Sequence, residues 1–162
     1  MARRYDHSRE ELYGIALDAA CQMVAEKGIR ELTTRKLAKE IGYSVGTLYN
    51  LFDDQDDLIV HMNGRTLNGL ANVIAAVPDG KESEQTIRAM SKAYIKFTQD
   101  NFNLWNSLFE HRLPPGRELP EWYREKIDIL LAMVEKALLP ICANNQSECQ
   151  KAARVLWSSL HG

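Results

Sequence analysis

Apolar residues recur along most of this chain every three or four positions, the spacing that lays one stripe along an α-helix. The first stripe is Leu12, Ile15, Ala16, Ala19, Ala20, Met23 and Val24. Ser8 and Glu11 precede it at capping-box spacing, where hydroxyl and carboxylate satisfy free N–H groups at a helix start. Gly28 follows as a left-handed stop, so a helix is predicted over about 9–27. Thr33 is placed to cap a second helix, with Leu32 and Leu37 spaced as a hydrophobic staple, Leu37, Ala38 and Ile41 inward and Gly42 at the end. After only Gly42 and Tyr43 a new cap stands at Ser44. Two short helices joined by so tight a turn cross steeply. The third, over about 45–52, has Val45, Leu48 and Phe52 inward and Gly46, Thr47, Tyr49 and Asn50 outward.

The acidic cluster Asp53, Asp54, Asp56 and Asp57 suits the positive end of a fourth helix. That helix runs to Val77, before Pro78-Asp79-Gly80 breaks it and offers a hinge. Ile87, Met90, Tyr94 and Phe97 form another stripe, as do Phe102, Trp105, Leu108 and Phe109 after a turn at Asp100-Asn101. Pro114-Pro115-Gly116 makes a loop, a long helix follows from Pro120 to Leu139, and the last helix is capped by Ser147. With no strand pattern, repeat or low-complexity tract, the expected class is all-α.

Composition narrows the function. Over 162 residues, 45% hydrophobic and 26% charged is the balance of a globular protein. The net charge of -2 gives no global attraction to nucleic acid, so any such contact is local. Cys21, Cys142 and Cys149 lack zinc or C-x-x-C spacing and read as reduced structural thiols. Residues 1–11 hold no secretory apolar core and no run approaches the roughly 20 apolar residues of a membrane span, which predicts a cytoplasmic protein with no membrane partner. His7, His61, His111 and His161 lie far apart, without H-E-x-x-H, a nucleophile elbow or a Gly-rich phosphate loop. No catalytic site, metal site or cofactor is assigned, and an enzyme is not expected.

Arg35 and Lys36 fall in the first turn of the second helix, where the macrodipole disfavours cations unless an anion is near. Free N–H groups there, with the Thr33 and Thr34 hydroxyls, suit a phosphate; a merely solvated charged face is the other reading. Thr47, Tyr49 and Asn50 form the kind of short face that a DNA major groove admits. Gly46 costs a helix up to about 1 kcal/mol relative to Ala but lets the backbone approach another surface.

The segment Leu32 to Leu58, LTTRKLAKEIGYSVGTLYNLFDDQDDL, resembles the helix-turn-helix of TetR-family regulators and the start of their connecting helix. The resemblance implies an N-terminal three-helix bundle joined by a long helix to a helical ligand-binding and dimerisation domain. The boundaries expected are 1–52 for DNA binding (motif core 32–52, family-type domain about 9–69) and 53–162 for the rest. It implies backbone-positioning roles for Thr34 and Tyr49 and recognition-helix roles for Ser44, Val45, Thr47 and Asn50, within a DNA-binding set completed by Thr33, Arg35, Lys36, Lys39, Tyr43 and Gly46. The family often has His or Tyr where this chain has Leu51 and Lys where it has Gln55. Affinity is therefore expected to lean on Arg35, Lys36, Lys39 and an Arg3-Arg4 arm. The tail Trp157-Ser158-Ser159-Leu160-His161-Gly162 is similar to the W-x-x-x-H-G pattern of one TetR C-terminal class, in which a further helix follows, so a C-terminal portion is expected to be missing.

The function implied is a repressor that binds near-palindromic double-stranded operator DNA as a homodimer, paired through its last helices, and is released by a small, mainly apolar effector. Aromatic residues beyond the motif supply candidate ligand contacts: Tyr94, Phe97, Phe102, Trp105, Phe109, Trp122 and Trp157, with His61, Arg65 and His111 as orienting polar groups. A closed aromatic core is the other reading of that set. A helical interaction protein whose helix-turn-helix is only structural remains the alternative function.

Overall fold

A computed structural model describes residues 7–78 and 82–161, with the side chains of residues 160 and 161 outside the description. The Arg3-Arg4 arm and the Asp79-Gly80 part of the expected hinge also lie outside it. The described residues form eight α-helices and no strand. Helix α1 (Arg9–Lys27) starts with both capping-box bonds between Ser8 and Glu11. It stops at Gly28, whose φ of 81° and ψ of 166° lie outside the left-handed helical region; the chain turns into a 3-10 turn, Ile29–Glu31, that the periodicity did not predict. Thr33 caps α2 (Thr34–Ile41), and Gly42, at φ 75° and ψ 25°, takes the left-handed conformation that closes it. Ser44 caps α3 (Val45–Tyr49), which is shorter than expected. Helix α4 (Gln55–Ala75) follows, then α5 (Ser83–Asp100), α6 (Phe102–Glu110), α7 (Glu121–Leu138) and α8 (Gln146–His161). Asn145, not Ser147, caps the last helix, its side chain accepting from the Glu148 N–H.

The chain divides into two compact units. The first comprises the described residues of Met1–Thr66 together with Asn101–Glu118, and the second those of Leu67–Asp100 and Leu119–Gly162. This partition differs from a boundary at 52/53: the first half of α4 and all of α6 pack with the N-terminal helices. In the first unit Leu17, Val24, Leu37, Leu48, Phe52 and Met62 share one core. Leu32 and Leu37, the staple pair, are both fully buried in it. Each such leucine contributes about 1.5–3 kcal/mol by leaving water, and Leu48 is the residue by which the short α3, packed on α2, enters this core. Of the expected α6 stripe Trp105 is buried and Leu108 half-buried, while Phe102 and Phe109 are exposed; Ser107, outside that stripe, is buried. In the second unit Leu138, Cys149 and Ala153 form a smaller core with Ile87 and Val134 packed on it.

Candidate DNA-binding face and apolar cavity

In the first unit, α2, the Gly42-Tyr43 turn and α3 form the helix-turn-helix. Arg35, Lys36, Lys39, Ser44, Gly46, Tyr49 and Asn50 are exposed, and Thr33, Thr34, Tyr43, Val45 and Thr47 are half-buried. The Ser44 Oγ accepts from the Thr47 N–H at 3.1 Å and lies 2.8 Å from the Thr47 Oγ1, which fixes the first turn of α3. Val45 packs against the core, so its side chain serves the fold more than the outer face. Tyr43 meets His7 edge-on at 6.3 Å.

Three contacts across the motif were not legible as such. Arg9 donates to the Asn50 carbonyl at 3.3–3.4 Å, a cation on the negative end of α3 from 41 residues away. Lys36 pairs with Glu31 of the 3-10 turn at 2.5 Å, which sets an anion of the chain itself beside this cation at the α2 start. The Lys36 partner holds the Glu31 carboxyl below its usual range. Gln55 donates to the Leu32 carbonyl at 3.2 Å, tying the start of α4 to the approach of α2.

The acidic cluster does more than cap α4. The Asp54 Oδ1 accepts from the Asp57 N–H at 2.8 Å, and this bond, followed by the Arg117 contact, lowers the Asp54 pKa. Asp56 meets the His111 Nε2 at 2.8 Å. Asp57 lies 3.5 Å from His61, whose ring also bonds the Tyr13 hydroxyl at 2.7 Å and packs on Phe52. Among the described residues no three His, Cys, Asp or Glu side chains converge on a metal position.

The second unit holds a cavity of about 140 Å³. The end of α4 gives it Leu70 and Ile74, α5 gives Met90 and Tyr94, α7 gives Leu130 and Val134, and α8 gives Ala153 and Trp157. Its walls carry no charged side chain.

These two arrangements coincide with matches to known families. The family described as bacterial regulatory proteins, tetR family, matches residues 16–62, and the tetracyclin repressor-like C-terminal domain matches residues 87–162. The chain belongs to the TetR family. A relative, the HTH-type transcriptional regulator SAB2452 of Staphylococcus aureus (strain bovine RF122 / ET3-1), is 30% identical over 107 residues, 66% of this chain and 56% of that protein. The chain spans about half the length of the curated relatives it matches. Among solved structures, a protein of unknown function from Rhodococcus sp. RHA1 has a TM-score of 0.79 at 18% identity, covering 99% of this chain and 83% of that one. The transcriptional regulator FadR from Bacillus subtilis in complex with stearoyl-CoA has a TM-score of 0.66 at 15% identity, covering 87% and 80%. At such identities the likeness is one of fold.

For a TetR-family chain, the departures at Leu51 and Gln55 now have local roles. Leu51 packs on the first core, and Gln55 makes the bond to Leu32 just described. The ligand candidates divide. Tyr94 and Trp157 line the cavity, whereas Phe97 packs on Gly69 and Trp122 on Tyr123 in the same unit without lining it. His61, Arg65, Phe102, Trp105, Phe109 and His111 belong to the first unit. There Arg65 pairs with Asp18 at 2.6 Å and Trp105 with Phe109 edge-on, and none of the six lines the cavity. Spacing placed those side chains on helix faces but could not tell which unit a face meets. Most of the aliphatic lining was missed because Leu, Ile and Val at helical spacing look the same whether they fill a core or border a hollow. Within the tail pattern, the side chain of His161 and all of Gly162 lie outside the described residues.

Proposed function

We propose that this protein is a transcriptional regulator, a repressor that grips near-palindromic double-stranded operator DNA as a homodimer and leaves it when a small, mainly apolar effector enters the second unit. The carrying observation is the α2–α3 pair: two capped helices joined through Gly42, with Gly46, Tyr49 and Asn50 exposed on the short second helix and Arg35 and Lys39 on the first. Such a helix suits a major groove, and the flanking cations and helix-start N–H groups suit phosphates. One module of this size reads few base pairs, so a two-fold pair on a symmetric site supplies the missing specificity. A regulator of this kind acts on DNA in the cytoplasm and needs no catalytic residue. Helix α4 contributes its first half to the reading unit and its second half to the cavity-bearing unit, which supports coupling between effector and DNA.

The test is selection from a random duplex library followed by salt titration on the enriched sequence. Enrichment of a symmetric site, protected by two protomers and lost steeply with rising salt through counterion release, is the expected result. Failure to enrich any sequence would return the motif to a structural role.

A further inference from the structure

We infer that the cavity of the second unit takes an uncharged, ring-sized apolar molecule, of the class of toluene, and rejects carboxylates, amines and acyl-CoA thioesters. The inference deepens the proposed regulatory reading and rests on it only for any effect on DNA.

Size comes first. At about 140 Å³ the cavity is close to the apolar hollow of about 150 Å³ known to take benzene. A long acyl chain with a nucleotide head exceeds that volume, so most of such a molecule would remain outside the cavity. Ile95 and Leu156, both half-exposed, stand among its lining residues and give it an opening to solvent through which a small apolar molecule can pass.

Charge decides the rest. The polar side chains on the wall are Ser91, Tyr94 and Trp157. Ser91 spends its hydroxyl on the Ile87 carbonyl of its own helix at 2.8 Å, and Tyr94 and Trp157 bring no charge to the wall. A neighbouring hollow shares Ile74, Met90 and Ala137 with the cavity and bears Lys136, which is also engaged. Along the flanking helices Arg88 pairs with Glu84, Lys96 with Asp100 and Lys151 with Glu148, while Lys92 and Arg154 are exposed to water. An ion entering the cavity would lose water and meet no charged side chain on its wall, a cost that an isosteric neutral molecule does not bear.

Toluene, benzoate, benzylamine and stearoyl-CoA, tested separately on the full chain at neutral pH by saturation-transfer NMR and thermal melts, separate these classes. Toluene is expected to bind saturably and raise the melting temperature, with benzoate and benzylamine weaker by at least about tenfold. Ala153→Leu, on the buried wall, and Ala137→Leu, on the half-buried wall, are expected to weaken toluene binding by filling the space. Benzoate, benzylamine or stearoyl-CoA binding as tightly as toluene would overturn the inference, as would absence of saturable toluene binding or a folded filled-cavity variant with undiminished affinity. An operator-binding assay with the same panel keeps the two readings apart. Toluene that binds but leaves operator affinity unchanged sinks the regulatory coupling alone, and operator release by a charged compound but not by toluene sinks the cavity inference alone.

Discussion

The guanidinium of Arg117 lies 2.5 Å from the Oδ2 of Asp54, whose other carboxylate oxygen accepts the Asp57 N–H in the first turn of α4. The loop after α6 is thereby fastened to the residues that follow the helix-turn-helix, and Asp56 adds its contact with His111. An ion pair this open to water adds little to stability, so its weight falls on position. Arg117→Gln is expected to lower the melting temperature by no more than a few degrees, roughly the effect of a surface ion pair, and to weaken operator binding severalfold. A variant that melts like the wild type and binds DNA unchanged would show that the fastening does not orient the motif.

A second link between α4 and α6 is buried. Ser107 Oγ donates to the Asn63 Oδ1 at 2.5 Å, and the Asn63 amide donates back to the Ser107 carbonyl at 3.3 Å. Both residues are almost wholly inaccessible. Ser107→Ala leaves one carbonyl lone pair without its donor in the interior, which costs about 1–3 kcal/mol. Urea denaturation should show that loss, and adding Asn63→Leu should restore part of it. Equal stability of Ser107→Ala and wild type would mean that the pair is solvated.

How far such features can be read ahead of the structure depends on their range along the chain. The caps at Ser8, Thr33 and Ser44 and the stops at Gly28 and Gly42 stand where the sequence places them, because each is settled by contacts within a turn. Helix α3 ends at Tyr49 rather than near Phe52 because Leu51 and Phe52 turn into the core, a tertiary demand that local spacing does not express. Asp54 looked like a helix cap and is one; that it also holds Arg117, 63 residues on, has no local sign. The same limit applies to His61 and His111, whose partners Tyr13 and Asp56 lie 48 and 55 residues away.

His61 gives the first unit a pH dependence. Burial against Tyr13 and Phe52 pulls its pKa below the ordinary 6.5, with Asp57 and Asp53 acting the other way. The unfolded chain therefore binds this proton more readily than the folded one, so the contribution is complete above 6.5 and is lost as pH falls from there toward the folded value. Asp54 and Glu11, both held below their usual 3.8 and 4.5, add a second loss on acidification below those values. Thermal melts across this range should show two descending steps. His61→Gln should flatten the upper one and Asp54→Asn the lower. An upper step that survives in His61→Gln belongs to another group.

Gly46 separates folding from DNA contact most cleanly. A methyl group added there would meet only the Ser44 Oγ, at 3.7 Å, an ordinary contact in an otherwise open position. Alanine is the better helix former by up to about 1 kcal/mol in a helix interior, less at the second residue of so short a helix. The isolated protein should therefore tolerate Gly46→Ala with an unchanged or slightly raised melting temperature. The same methyl stands on the exposed face beside Tyr49 and Asn50, where a DNA backbone or base edge is proposed to approach. Even a shift of a few tenths of an ångström there disturbs several hydrogen bonds together, and an operator affinity lower by about tenfold, or about 1.4 kcal/mol, is expected. Tyr49→Ala, which removes the ring of a residue that is 51% exposed, should lower operator affinity likewise without unfolding the chain. Fluorescence-anisotropy titrations on the selected operator, matched to circular-dichroism melts, decide the matter: full affinity in both variants would mean that this face of α3 is not the surface that meets DNA.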